Sequence, residues 1–168
     1  MTCIVPTTSR ARTRLGTAAT ALVVTVSLVA LVGCGGPDGI EGTVVAVTGS
    51  GTGSKDRALG GGWVAVLEDD SLLGFLTGSG IDAPTTDELP SLAGRVLHDD
   101  VTRAGGTLAT IDADGTFTLR ATGRHTVCRL VEAGQVDLLK GCAVVDLPTN
   151  GRLRLSTGEA GLHATLDD

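Results

Sequence analysis

The sequence predicts an all-β fold: a single antiparallel β-sandwich of seven to eight strands with one inserted helix, behind an N-terminal export signal. Three observations support this prediction. Short apolar runs recur at strand length between turn residues, 25 of the 168 residues are glycine, and only one stretch has helical periodicity. The length suits one domain, and a hydrophobic content of 42% is enough for a folded core.

The first 33 residues have the layout of a secretory signal peptide. Three arginines between positions 10 and 14 precede an uncharged stretch from Leu15 to Gly33. Its dense apolar part, residues 18–32, is shorter than the roughly 20 residues that a membrane-spanning helix needs. We therefore exclude residues 1–33 from the folded domain.

The signal ends in a tetrapeptide that resembles the lipobox of bacterial lipoproteins, Leu31-Val32-Gly33-Cys34. The resemblance implies cleavage between Gly33 and Cys34 and a diacylglyceryl group on the Cys34 sulfur. Two or three acyl chains, such as palmitate, anchor a protein stably where one chain is marginal, at ~0.8 kcal/mol per buried CH2. We expect a lipid anchor on the extracytoplasmic face of the cell membrane, a tether at residues 34–39 and a folded domain at 40–168. An ordinary signal anchor with an incidental Cys34 is the alternative.

Two cysteines, Cys128 and Cys142, remain after the signal and the lipidated residue. Export places them in an oxidising compartment, where disulfides persist, and a bridge over such a loop contributes about 3 kcal/mol. Neither residue stands in a C-x-x-C pattern, so metal binding lacks support. A nucleophilic role is disfavoured because His125 would lie on the opposite face of a strand that contains Cys128. We predict a disulfide, with free thiols as the alternative.

The mature chain is acidic. Residues 34–168 carry 10 basic side chains and all 19 acidic ones, a net charge of −9, and aromatic residues make up 2% of the sequence. Nucleic-acid-binding domains need a basic surface and often use aromatic side chains for stacking. We therefore exclude nucleic acid as a partner.

The first predicted elements are two strands separated by a loop. Ile40–Val47 is rich in β-branched residues and reads as a strand. Six glycines interrupt residues 48–62, which predicts a loop, and Trp63–Leu67 follows as a buried strand. Leu72–Leu76 is apolar, but its conformation is ambiguous.

The one predicted helix has its apolar stripe over residues 89–101, where apolar side chains recur at three- and four-residue spacing. They are Leu89, Leu92, Ala93, Val96, Leu97 and Val101. Asp87 and Glu88 suit the first turn, Pro90 is tolerated there, and Gly105-Gly106 ends the helix.

Beyond the helix the apolar periodicity changes to two. The turn Asp112-Ala113-Asp114-Gly115 predicts a hairpin between strands at 107–111 and 116–121. Four further strands are predicted at residues 125–131, 142–147, 152–155 and 162–166.

Four motifs stand in order along residues 39–131. They are Ile40-Glu41-Gly42-Thr43-Val44, Gly61-Gly62-Trp63-Val64-Ala65-Val66, Asp112-Ala113-Asp114-Gly115-Thr116-Phe117 and Gly123-Arg124-His125-Thr126-Val127. This order is similar to the carboxypeptidase regulatory-like domain, a transthyretin-like (prealbumin-like) β-sandwich, with His125 where that family has Tyr. Residues 69–106 would be an insertion and 132–168 an extension. The resemblance implies a non-catalytic accessory or binding module.

No catalytic arrangement is recognisable in the sequence. There is no Gly-x-Ser-x-Gly elbow, and the three histidines lack triad-like spacing. Asp112 and Asp114 lack the further ligands of a calcium loop, and the residues around Lys55 do not form a phosphate loop. We predict no catalytic residues, no metal and no cofactor.

We therefore predict a membrane-anchored, non-enzymatic β-sandwich that binds a protein or a cell-wall glycan. Loops carry most binding sites, so residues 49–62 and the insertion 69–106 are the first candidates. One alternative is a metal-dependent envelope hydrolase that uses His98, Asp99 and Asp100. Another is a small-ligand carrier, although few aromatic side chains are available to line its pocket.

Overall fold

A computed structural model of the chain describes residues 39–48, 55–82 and 85–167. The strands are β1 (Ile40–Thr48), β2 (Lys55–Ala58), β3 (Trp63–Leu67), β4 (Ala93–Val96), β5 (Thr107–Thr110), β6 (Thr116–Leu119), β7 (Gly123–Ala133), β8 (Val136–Leu147), β9 (Gly151–Gly158) and β10 (Gly161–Asp167). The helices are α1 (Asp69–Gly78), a 3-10 helix (Thr86–Ser91) and α2 (His98–Arg103). The predicted signal peptide and Cys34 lie outside the described residues.

The strands form two five-stranded sheets. Sheet A has the order β10-β9-β1-β2, with β6 also paired to β1, and sheet B has the order β4-β8-β7-β3-β5. Fully buried residues of both sheets share one apolar cluster, including Val44 and Leu155 from sheet A and Val64 and Val127 from sheet B. The predicted all-β fold with two sheets is confirmed, with ten described strands in place of seven to eight.

Strand β1 is the centre of sheet A and pairs along both edges. On one edge it pairs in parallel with β9, from Ile40 opposite Gly151 to Ala46 opposite Thr157. On the other edge β6 pairs with its first half and β2 with its last. The expectation of a wholly antiparallel sandwich is therefore wrong. A long stretch of chain connects β1 to β9, and only a short hairpin link would enforce the antiparallel direction.

The turn at Asp112–Gly115 forms as predicted, but its flanking strands do not make a hairpin. The Gly115 N–H donates to the Asp112 carbonyl at 2.9 Å, and the Asp112 N–H donates to the Thr116 carbonyl at 2.8 Å. Beyond the turn, β5 pairs with β3 in sheet B while β6 pairs with β1 in sheet A. The turn therefore carries the chain from one sheet to the other.

The helix predicted over residues 89–101 is wrong. This stretch contains the end of the 3-10 helix, all of β4 and the start of α2. Strand β4 extends the edge of sheet B by pairing with β8, from Ala93 opposite Lys140 to Val96 opposite Asp137. Pairing with an available sheet edge overrides the helical periodicity of the segment.

The ambiguous segment Leu72–Leu76 lies in α1, which packs on sheet B. Alternate residues of β3 serve two clusters: Val64 and Val66 join the cluster shared with sheet A, whereas Ala65 and Leu67 join a second cluster with α1. Phe75 and Leu76 of α1 are each 1% exposed in this second cluster. Sheet B is therefore covered on both faces. Neither α-helix of the described ranges is long and apolar enough to cross a bilayer.

Candidate functional site

Cys128 and Cys142 form a disulfide that joins β7 to β8. The two residues lie directly opposite each other in the antiparallel ladder, and both are fully buried in the second cluster. The predicted disulfide is confirmed. Immediately beyond it the β7–β8 register shifts between Cys128 and Leu130, so the bridge fixes the pairing just before the irregularity.

The three residues of the hydrolase alternative do not converge on one point. Asp100 forms an ion pair with Arg103 within α2, and Asp99 is exposed. His98 instead turns toward β8, where its Nδ1 lies 3.3 Å from Oδ2 of Asp137. Within residues 39–48, 55–82 and 85–167, no group of three or more His, Cys, Asp or Glu side chains is placed to hold a metal ion.

His98, Asp137 and Trp63 form a cluster on the outer face of sheet B that the sequence did not predict. The Trp63 and His98 rings lie edge to face, with centroids 4.7 Å apart and planes at 78°. The Asp137 side chain is 8% exposed and that of His98 is 47% exposed. A carboxylate that orients an imidazole is also part of catalytic triads, but no described Ser, Thr or Cys is hydrogen-bonded to His98. The cluster therefore attaches the start of α2 to the sheet. Its members are far apart in sequence, so no local pattern could have indicated it.

The Asp114 carboxylate is hydrogen-bonded within the turn in which it lies. Its Oδ1 accepts hydrogen bonds from the Thr116 hydroxyl at 2.7 Å and from the Thr116 N–H at 3.0 Å. These two bonds lower the pKa of the Asp114 carboxyl from its ordinary value of 3.8. The carboxylate is thus a structural acceptor, as turn chemistry predicts.

The two segments expected to be partner-binding loops, residues 49–62 and 69–106, are not simple loops where the structure describes them. Residues 49–54 lie outside the described residues, and residues 55–58 form strand β2. The stretch 69–106 contributes fully or almost fully buried side chains to the second cluster, among them Phe75 and Val96. It is therefore part of the folded core, and deleting it would expose sheet B.

The outer face of sheet A, by contrast, is uncovered in the described part of the chain. Glu41, Arg152 and Asp167 are neighbours across β1, β9 and β10, and all three are exposed. Together with Thr118 they line a groove of about 530 Å³. These side chains make a polar surface with charges of both signs, and the groove does not enclose a ligand deeply.

A second polar row lies next to the first on the same face. Thr43, Arg154 and Thr165 are cross-strand neighbours, and Arg154 forms an ion pair with Asp56 of β2. None of the Trp and Phe side chains lies on this face, because Phe75 and Phe117 are buried and Trp63 belongs to sheet B. We refer to the two rows together as the open face of sheet A.

The fold and these sites define a two-sheet, disulfide-linked, all-β domain with one sheet face uncovered. No protein-family model, curated protein or solved structure matches the chain. The similarity of residues 39–131 to the carboxypeptidase regulatory-like domain therefore stays a prediction that depends on the motifs alone.

Proposed function

We propose that this chain is a lipid-anchored envelope protein that displays a non-catalytic β-sandwich to a partner outside the cytosol. The lipobox-like tetrapeptide ending in Cys34 supports the anchor. The disulfide between Cys128 and Cys142 fits a compartment in which disulfides persist. The observation that carries the binding role is the open face of sheet A, since sheet B is covered on both sides.

The short tether gives the domain an orientation in this proposal. Six residue steps separate Cys34 from Ile40, so the lipidated residue and the start of β1 are at most about 20 Å apart. Strands β1 and β9 both run away from that end. The start of β1 then faces the membrane, the turn between β9 and β10 points away from it, and a partner reaches the open face from the side.

The chemistry of the open face favours a protein partner. Its rows alternate carboxylates, guanidinium groups and hydroxyls, and complementary charges on a partner give such a surface specificity and faster association. A glycan partner would gain from an exposed Trp, Tyr or Phe ring on which sugar rings pack, and none lies on this face. The similarity to a family of non-catalytic accessory modules points the same way. A cell-wall glycan is the alternative outcome of the binding experiment.

The anchor is tested by fractionation after metabolic labelling with palmitate. We expect the wild-type chain to be labelled, mature in size and membrane-bound, and globomycin to cause the precursor to accumulate. Cys34→Ser should abolish both labelling and processing. Cys3→Ser, a cysteine within the predicted signal, is the matched control and should behave like the wild type. A Cys34→Ser chain of mature size that is held as firmly by the membrane would overturn the anchor.

The binding face is tested by photo-crosslinking in intact cells. A photoreactive residue at Thr43 reports on the open face, and one at Leu73, which is 56% exposed on α1, is the matched control. We expect a discrete product from position 43 alone, and we expect Arg152→Glu to reduce it. Protease and lysozyme digestion of the product distinguish a protein from a glycan. Equal products from both positions would refute the assignment of the face.

A further inference from the structure

A cavity of about 300 Å³ that is open to solvent lies at the end of the sandwich where β9 turns into β10. Both sheets and the segment after the 3-10 helix line it. The residues that matter are Leu92, Arg129, Val131, Lys140, Thr157 and Glu159. The parallel register of β1 and β9 places Thr157 opposite Ala46, so this end is remote from Ile40.

Arg129 is a buried cation for which the described residues provide no ion pair. It is 9% exposed, and it lies on the same face of β7 as Val127, which packs between the sheets. Its Nε has no hydrogen-bond partner in the described part of the chain. Burial lowers the pKa of the guanidinium, although the group stays charged at neutral pH. Buried charges are nearly always paired, whereas Arg129 has no counter-ion among the described residues.

The other polar groups around the cavity are mainly donors. The Thr157 hydroxyl, contributed by sheet A, is buried and also has no partner among the described residues. Lys140 is exposed and takes part in none of the ion pairs of the described ranges. The Ser91 hydroxyl already donates to the Glu88 carbonyl at 3.3 Å.

Among the described residues, Glu159 is the one carboxylate that lines the cavity. It is exposed and forms no ion pair with Arg129 or Lys140. Nineteen acidic residues are present in the chain, yet the described ones leave this arginine unpaired. The cavity is therefore lined by the Nε of a guanidinium and by a hydroxyl that both lack a partner among the described residues, and by the exposed ammonium of Lys140.

We propose that this cavity binds a small organic anion, a carboxylate with a short apolar body, and that Arg129 and Thr157 hold the carboxylate. A guanidinium binds a carboxylate through two parallel hydrogen bonds, and the carboxylate supplies the acceptors that both groups lack. Leu92 and Val131 provide apolar wall for the body. The volume is at the lower end for ligand pockets, about 300–1,000 Å³, so the ligand is small.

This proposal goes beyond the display function and does not depend on the lipid anchor. The test uses the full-length chain in detergent and three probes. The first, 4-methylpentanoate, has both the charge and the apolar body; 4-methylpentanamide lacks the charge, and inorganic phosphate lacks the body. Calorimetry measures affinity, and the NMR signal of the Arg129 Nε–H reports on the site itself.

We expect saturable binding of 4-methylpentanoate with a shift of the Arg129 Nε–H signal. The amide and phosphate should each bind at least tenfold more weakly. Binding of the amide equal to that of the acid would overturn the role of Arg129, and equal binding of phosphate would overturn the apolar body. Absence of binding by all three probes at millimolar concentration would overturn the site. Each of these failures leaves the fractionation result for Cys34 unaffected.

Variants separate the pocket from general effects of charge. Arg129→Gln should weaken binding about tenfold or more, because it removes a charged hydrogen-bond donor. Thr157→Val should weaken it about threefold, and Glu159→Gln should strengthen it about twofold by removing a like charge. Arg120→Gln, an exposed arginine at the opposite end of the sandwich, is the matched control and should change nothing.

Urea unfolding of the ligand-free variants tests whether the role of Arg129 is purely structural. Arg129→Gln should be at least as stable as the wild type, because it removes an unpaired buried charge. If Arg129→Gln and Glu159→Gln instead destabilise the chain equally and non-additively, the two residues form an ion pair in solution. That result would overturn the proposal, since the guanidinium would already have its counter-ion.

Discussion

Loss of the Cys128–Cys142 disulfide should lower the free energy of unfolding by about 3 kcal/mol. The bridge spans a sequence separation of 14, and the loop-closure entropy of a loop of about 15 residues corresponds to about 3 kcal/mol at 25 °C. For a domain of this size, that change lowers Tm by roughly 10 °C. Both cysteines are fully buried, so their replacement by alanine also removes packing. Reduction of the wild-type chain therefore isolates the contribution of the cross-link.

The assay is urea unfolding of the full-length chain in detergent, followed by circular dichroism with and without reductant. Intact mass under non-reducing conditions should show the chain lighter by two hydrogens than after reduction. The matched control is the Cys128→Ala/Cys142→Ala chain, whose unfolding midpoint should not respond to reductant. Any response of this control would show that the reductant acts elsewhere.

Two results would contradict this reasoning. Free thiols at Cys128 and Cys142 on exported protein would remove the bridge itself. Free energies of unfolding that agree within about 1 kcal/mol between the oxidised and reduced chains would contradict the predicted entropic contribution of the cross-link. The β7–β8 hairpin would then persist in the unfolded chain, so that the cross-link would restrict it little further.

Three further predictions concern single contacts. Gly42→Ala would push a Cβ into the phenylalanine ring of β6, and we expect urea unfolding to show a loss of about 1–3 kcal/mol; an unchanged midpoint would mean that the ring moves freely. His98→Ala removes the partner of the buried Asp137 carboxylate and should cost about 1–3 kcal/mol, part of which Asp137→Asn should restore in the double variant. An NMR titration should give Asp114 a pKa below 3.8, and Thr116→Val should raise it. A carboxyl whose pKa is lower in the folded state stabilises the fold above the unfolded-state pKa, and this contribution is lost as the pH falls through the folded-state value. The stability of Thr116→Val should therefore differ least from that of the wild type in acid.

The strands most accurately predicted from the sequence are those whose alternation is local. Trp63–Leu67 has the predicted bounds, and β1 extends the prediction by one residue. Along residues 40–44 buried and exposed positions alternate strictly, as a strand with one covered face requires. Such patterns depend on neighbours two residues apart, which the sequence displays directly.

The failed helix shows what local patterns leave undetermined. Asp87 and Glu88 do lie in a first helical turn, that of the 3-10 helix, where the Thr85 N–H donates to the Glu88 carboxylate at 3.1 Å. A second capping contact, from the Leu97 N–H to Asp100 at 3.2 Å, starts α2. Between these two starts the chain joins the edge of sheet B, and no residue within 89–101 reveals that β8 offers that edge. Long-range pairing of this kind also explains why β5 and β6 diverge into different sheets.

Arg129 lies where a local rule is broken. Its neighbours at positions 127 and 131 are valines on the same strand face, and a period-two reading of β7 assigns residue 129 to the same apolar row. A charge at a core position conflicts with that row, and such conflicts are expected at functional sites. The sequence therefore carried a signal for the cavity, although nothing local placed Thr157 across from it. Arg129 serves either packing or a ligand, and Arg129→Met separates these two explanations. The substitution restores the apolar row with a side chain of nearly the same length. Removing the unpaired buried charge should raise stability whether or not a ligand binds, so binding decides: if the arginine serves a ligand, the variant loses 4-methylpentanoate, and if it serves only packing, binding is unchanged.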